Sequence, residues 1–368
     1  EPDRTCLRIT RKLFAVRDPE NCGKKTPKLT RGATDMDLTL ILAGVIVFGL
    51  GAYVILDGFD LGVGILMPWL PDEDCRDIAV ASITPVWDGN ETWLILGGAV
   101  LFGAFPLAYA IALPAFYIPT MAMLFALIFR GVAFEFRVKA KRTRAWWNLA
   151  LSAGSTLAAF SQGLILGGLL EGVKIEGRAF AGGPFDWLTP FSVVTGLGMV
   201  SGYVLLGATW LNLKTKGYLK AYARRCAHLG LYASLVALAV VSIYTPLKFP
   251  EIAQRWFGDN NWLSLAPVPL ATAVVAISLF RELRRHSDAA PFFYAIALFA
   301  LGYIGIGISL WPHILPPSLS IYDAAAPEAS QMFVLVALAF SLPMVLIYTA
   351  YAYWVFRGKV ESGDGYGH

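Results

Sequence analysis

Long uninterrupted apolar runs constrain this chain more than any other feature, because about 20 apolar residues are enough to cross a bilayer as a helix. Nine such stretches can be marked, at about 38–66, 78–104, 106–133, 147–170, 188–212, 226–246, 263–281, 290–311 and 329–356. Only Phe105-Pro106 separates the second from the third, as a tight turn. The composition agrees: 57% of residues are hydrophobic and 15% charged, whereas soluble domains are about a quarter charged. The pattern predicts an all-α, polytopic membrane protein with nine transmembrane helices over residues 36–360, followed by a short polar tail at 361–368. In lipid a helix satisfies its own backbone, which is why runs of this length read as helices.

The net charge of +4 points to no acidic partner. Residues 1–35 hold nine Lys/Arg against five acids, which leaves 21 basic and 21 acidic residues in the remainder. Nucleic-acid binding is therefore not expected. The leader has no apolar segment of the kind a secretory signal needs. We read it as a non-native or disordered basic leader, the alternative being an arm that binds lipid headgroups. Seventeen of the 21 basic residues of the body fall in loops or helix ends on one side of the predicted spans. The other side has Lys174, Arg178, Lys248 and Arg255. The positive-inside rule then puts the C-terminus in the cytoplasm and the Met36 end outside.

Ionisable groups at membrane depth are costly and commonly mark a pathway. Asp57 and Asp60, three residues apart, share one face of the first span. Asp88 and Glu91 have the same spacing in the second. If that span enters near residue 78, Asp88 lies roughly 15 Å deep, and Pro85 could open the backbone to water. Glu135 and Lys139 sit at the cytoplasmic end of the third span. In order of depth, Lys139 and Glu135 form a mouth, Asp57 and Asp60 come next, and Asp88 with Glu91 lie deepest. This is the form of a proton route, with Trp87, Asn90 and Arg130 as supporting residues. Two blander readings stand beside it: the acids and Asn90 only bond helices together, and Arg130 is an ordinary positive-inside residue. The four histidines, His228, His286, His313 and His368, all lie outside the span interiors, so no metal or haem site is expected in this chain.

The segments Asp57-Gly-Phe-Asp-Leu-Gly-Val-Gly64, Trp87-Asp-Gly-Asn-Glu-Thr-Trp-Leu94 and Phe129-Arg-Gly-Val-Ala-Phe-Glu-Phe-Arg137 resemble signatures of cytochrome bd-type oxidase subunit II. Trp311-Pro312, Ile321-Tyr-Asp-Ala324 and Tyr351-Ala-Tyr-Trp354 fit the same family. The wording of 87–94 is similar to the cyanide-insensitive branch.

The resemblance implies two four-helix bundles plus one peripheral helix, in a bacterial inner membrane. It implies a heterodimer with a haem-bearing subunit I that carries two haem b, one haem d and the quinol site. Small single-span subunits and lipid are further partners, and some members hold a structural quinone in subunit II. Proton-path roles carry over to Asp88, Glu135 and Lys139. The family often has Asp at the position of Glu135 and a hydroxyl residue at that of Val138, so a relay through 138 does not carry over. The expected function is that of a haem-free subunit of a quinol:oxygen oxidoreductase, which stabilises its partner and delivers protons. The alternatives are a proton-coupled secondary transporter and a purely structural scaffold.

Overall fold

The computed structural model describes residues 37–258 and 261–360; the readings of 1–35 and 361–368 lie outside them. The described chain is helical, with two small hairpins. In chain order the helices are α1 (Leu38–Leu66), α2 (Glu73–Ile83), α3 (Trp87–Ala104), α4 (Pro106–Ala115), α5 (Tyr117–Lys139), α6 (Arg144–Glu171) and α7 (Pro190–Lys214). They continue with α8 (Gly217–Lys248), α9 (Pro250–Phe257), α10 (Asn261–Leu265), α11 (Pro267–Arg284), α12 (Ala290–Leu310), α13 (Ile321–Ala324) and α14 (Glu328–Val355). Ile175–Glu176 pairs antiparallel with Ala179–Phe180, and His313–Leu315 with Leu319–Ser320.

Eight of the described helical stretches are long and apolar enough to cross a membrane, and α3 with α4, bent by 120°, makes a ninth candidate. The count agrees with the sequence, but two boundaries do not. The expected span 78–104 is broken: α2 stops at Ile83 and α3 starts at Trp87. Pro85 causes this, because it has no N–H to continue the helix and its ring clashes with the preceding turn. The expected span 106–133 is also two elements, since α4 ends at Ala115 and the full-length crossing is α5.

The centre of the bundle is α1, which packs on α3, α6 and α7. Next to it α5 packs on α6, α7 on α8, and α11 on α12, while α14 lies against α3 and α1. α14 is the least enclosed crossing, burying Gln331, Leu338 and Ala352 and exposing Phe333, Phe340 and Ile347. The α1–α7 contact is backbone to backbone. A Cβ on Gly62 would lie 1.8 Å from the Tyr203 carbonyl oxygen, and one on Gly207 would lie 2.3 Å from the Gly62 carbonyl carbon. Without a hydrophobic force between helices in lipid, such close approach is what holds them.

The loops gather at two ends of the bundle. At the end rich in basic residues, Arg137 pairs with Asp77 at 2.8 Å and Glu73 at 3.6 Å, and Arg144 contacts the same two acids. These pairs fasten α2 to α5 and α6. Lys214 bonds the carbonyls of Phe356 and Gly358, and the Val360 amide donates to the Lys214 carbonyl at 2.8 Å. Asp288 accepts from Lys220 and Lys359, which holds its carboxyl down at about 2.

Two predictions follow from this packing. Gly207→Ala should cost about 1–3 kcal/mol or more by overpacking and lower the melting temperature of the purified complex. Gly44→Ala, with nothing within 4 Å of its Cβ, should leave that temperature unchanged. Asp288→Asn should speed hydrogen exchange at the Val360 amide by a small factor, because exposed ion pairs contribute under about 1 kcal/mol. A lowered carboxyl stabilises above its unfolded value near 3.9 and stops doing so as pH falls through about 2. The wild-type to variant ratio should therefore be flat from about pH 5 to 8.

Candidate functional site

Polar residues inside the bundle converge on one guanidinium. Arg130, on α5, is fully buried, as are Asp57 and Asp60 on α1. Arg130 Nη1 donates to Asp57 Oδ1 at 2.7 Å and to Glu91 Oε1, on α3, at 3.2 Å. Its Nη2 stands 4.0 Å from Asp60 Oδ2. Asn90 Nδ2 donates to the same Asp60 oxygen at 2.6 Å and to the Leu56 carbonyl at 3.2 Å, while Tyr353 of α14 donates to Asn90 Oδ1 at 3.0 Å. One side chain from α5 thus ties α1 to α3, and Asn90 carries the link to α14.

The local sequence explains the convergence. Asp57 and Asp60 are one turn apart on α1 and face inward together. Asn90 and Glu91 fall in the first turns of α3 because the helix starts only after Pro85. Gly58 lets Tyr203 of α7 approach, since a Cβ there would lie 2.7 Å from its ring. Next to the ion pairs, Gln162 of α6 donates to Tyr53 Oη at 2.8 Å and accepts from Tyr203 Oη at 2.5 Å. Not every polar atom is matched: Asp57 Oδ2, Asp60 Oδ1, and Arg130 Nε and Nη2 are buried without a hydrogen-bond partner among the described residues.

The depth order expected from sequence changes. Glu91 binds the same guanidinium nitrogen as Asp57, and Asn90 reaches Asp60, so α3 is not deeper than the α1 pair. Asp60 lies six residues before the end of α1 and Arg130 nine before the end of α5, roughly 9 and 14 Å along their helices. The two motifs form one layer, because the break at Pro85 removes the turns that were counted as depth. Arg130 is the centre of this layer rather than a loop-end cation.

Asp88, Glu135 and Lys139 do not join the buried group. All three are exposed on the surface of this chain. Trp87 stacks on Phe134 with ring centroids 4.8 Å apart, which places the first turn of α3 beside the turn of α5 that carries Glu135. Tyr53, Gln162 and Tyr203 are not among the residues the sequence points to, and Tyr353 enters there only within the Tyr351–Trp354 segment. The available signals are the place of Tyr53, one helical turn before Asp57, and the Tyr351–Trp354 motif for Tyr353; for Tyr203 the sequence holds none.

His228 meets Phe280 edge-on at 5.9 Å, His286 sits in a turn with φ 64°, and His313 is in a hairpin. No group of three or more His, Cys, Asp or Glu that could hold a metal occurs among the described residues.

Fold and site define a multi-pass helical membrane protein whose bundle is locked by a buried Arg–carboxylate cluster. Residues 38–356 match the family described as cytochrome bd terminal oxidase subunit II. The chain belongs to that family and is a component of a bd-type terminal oxidase complex. It is 29% identical over 362 residues to cytochrome bd-I ubiquinol oxidase subunit 2 of Escherichia coli strain K12, covering 88% of this chain and 94% of the relative. It is 30% identical over 344 residues to cytochrome bd ubiquinol oxidase subunit 2 of Bacillus subtilis, covering 89% and 97%. The bd oxidase structure from Geobacillus thermodenitrificans superposes with a TM-score of 0.71 at 20% identity, over 87% of this chain and 99% of that one.

If Arg130 is the keystone, Arg130→Met should destabilise the complex by about 3–5 kcal/mol, because it leaves buried carboxylates unpaired. Arg130→Lys, with a point charge and no fork, should fall between that variant and wild type. Thermal melting of the purified complex measures both.

Proposed function

We propose that this chain serves a quinol:oxygen oxidoreductase of the aerobic respiratory chain, stabilising a haem-bearing subunit I and conducting protons toward the site where oxygen becomes water. Two haem b, one haem d and the quinol site belong to the partner. This chain's share is carboxyl chemistry. The single observation that carries the reading is the buried layer of three carboxyl groups, Asp57, Asp60 and Glu91, around one guanidinium. One cation cannot neutralise three carboxylates, so groups in that layer are free to take up and release protons.

The exposed acids support a route rather than a mere brace. Asp88 stands in the first turn of α3, level with the buried layer, and an ionisable group at that depth is costly against lipid. The α3 and α5 surface carrying Asp88, Glu135 and Lys139 is therefore the face we assign to the partner. Protons entering from the basic end would pass Lys139 and Glu135 to Asp88, and Glu91, 22% exposed, would connect that surface to Asp57 and Asp60. Arg130 and Asn90 hold the carboxyl groups in place, and Trp87 holds the turn. The excess of basic residues at that end supports a cytoplasmic C-terminus and a Met36 end outside, in a bacterial inner membrane. A structural quinone and single-span subunits are compatible additions. The names of the E. coli and B. subtilis relatives favour ubiquinol as the electron donor.

Asp88→Asn and Glu91→Gln are expected to leave the complex assembled, with its haem spectrum unchanged, and to lower quinol-driven oxygen uptake at least about tenfold. Wild-type turnover in both variants would remove the proton route and leave a scaffold.

A further inference from the structure

At the end of the bundle opposite the basic loops, a groove of about 540 Å³ opens between α9–α10 and the last turns of α12. Arg255, Asn261 and Ser264 line one side, and Leu265, Ile308 and Trp311 carry the apolar remainder. We infer that this groove is a binding site for a membrane glycerophospholipid, with its phosphodiester on Arg255 and an acyl chain running along α12. The site is separate from the carboxyl layer and does not depend on the proton route.

The charge balance at this end comes first. Of the four cations at this end among the described residues, Lys174 is paired with Asp186 at 2.9 Å and Lys248 with Glu171 at 2.7 Å. Arg255 differs: its Nε is buried and has no hydrogen-bond partner among the described residues. A guanidinium left this way calls for an oxyanion, and its planar fork suits phosphate oxygens.

The form of α9 says where that anion comes from. Ile252, Ala253, Trp256 and Phe257 lie on one face of Pro250–Phe257, with Glu251, Gln254 and Arg255 on the other. The helix buries no residue in the protein. It joins the end of α8 to the α10–α11 segment, so it sits at the membrane surface, as amphipathic interfacial helices do. Trp256 Nε1 donates to Ser309 Oγ at 3.0 Å, tying α9 to α12 and fixing the groove walls.

The wall on α12 is smooth where a chain would lie. Gly307 lines the groove, and a Cβ there would meet nothing within 4 Å, so this position neither packs on the protein nor obstructs the groove. A cation at the headgroup level above an open apolar channel matches an amphiphile with an anionic head. A free anion would leave the channel unused, and a neutral quinone head would leave the guanidinium unmatched.

The test uses the assembled oxidase, with subunit I present, purified and titrated with phosphatidylglycerol micelles while bound lipid is counted by native mass spectrometry. Wild type should retain one phosphatidylglycerol that Arg255→Ala binds roughly tenfold more weakly, the loss of about one charge-assisted hydrogen bond. Gly307→Leu, which fills the channel without touching protein, should weaken it as well, and Arg178→Ala should not. If Arg255→Ala fails to assemble, Gly307→Leu decides alone. Equal retention in wild type and Gly307→Leu would overturn the site. So would displacement by millimolar inorganic phosphate alone, or recovery of a quinone in place of the phospholipid.

Discussion

The structure turns on one desolvated guanidinium. Arg130 is reached by carboxyl groups from two other helices, and each of those groups would be untenable in the bundle without it. Burying an ion pair stabilises little by itself, since desolvation offsets much of the attraction. What it supplies is specificity. Asp57, Asp60 and Glu91 can be satisfied together only when α1, α3 and α5 stand in one register, and lipid offers no alternative partner. The glycine contacts between α1 and α7 act in the same direction, because they fix the distance at which α7 backs the carboxyl face.

Such a cluster also explains why structure and chemistry are hard to separate in this protein. The groups that hold the helices in register are the ones the proposed proton route uses, and several of their oxygen and nitrogen atoms lack hydrogen-bond partners among the described residues. A fully satisfied network would be rigid and chemically quiet. The proposed route asks for a partly matched one, next to an exposed acid on α3, that still braces the bundle. The exposed acids Asp88 and Glu135 are a separate matter: ionisable groups at membrane depth are costly against hydrocarbon, which is why the proposed function gives that face to the partner subunit.

The two ends of the molecule are built differently. At the basic end, ion pairs among Glu73, Asp77, Arg137 and Arg144, and the lysine contacts of the C-terminal segment, close the loops on themselves. At the other end short helices and hairpins join the crossings, and among the described residues cations are few. Arg255 Nε is left without a hydrogen-bond partner among the described residues, where Lys248 has Glu171.

The sequence by itself determined that this is a membrane bundle, that it has eight or nine candidate crossings and which acids fall within apolar runs, because apolar length and ionisable residues in apolar runs are properties of composition along the chain. It also fixed which motif residues share a helix face, since spacing sets that. Tertiary structure alone decided that Arg130 is the hub, since apolar periodicity does not say whether a cation near a helix end turns inward. It decided that Glu91 and Asp57 are level, because Pro85 broke a run that hydropathy read as continuous. It also moved Asp88, Glu135 and Lys139 to the surface while drawing in Tyr53, Gln162, Tyr203 and Tyr353. Their contacts span up to 263 residues of sequence, a distance over which local pattern carries no information.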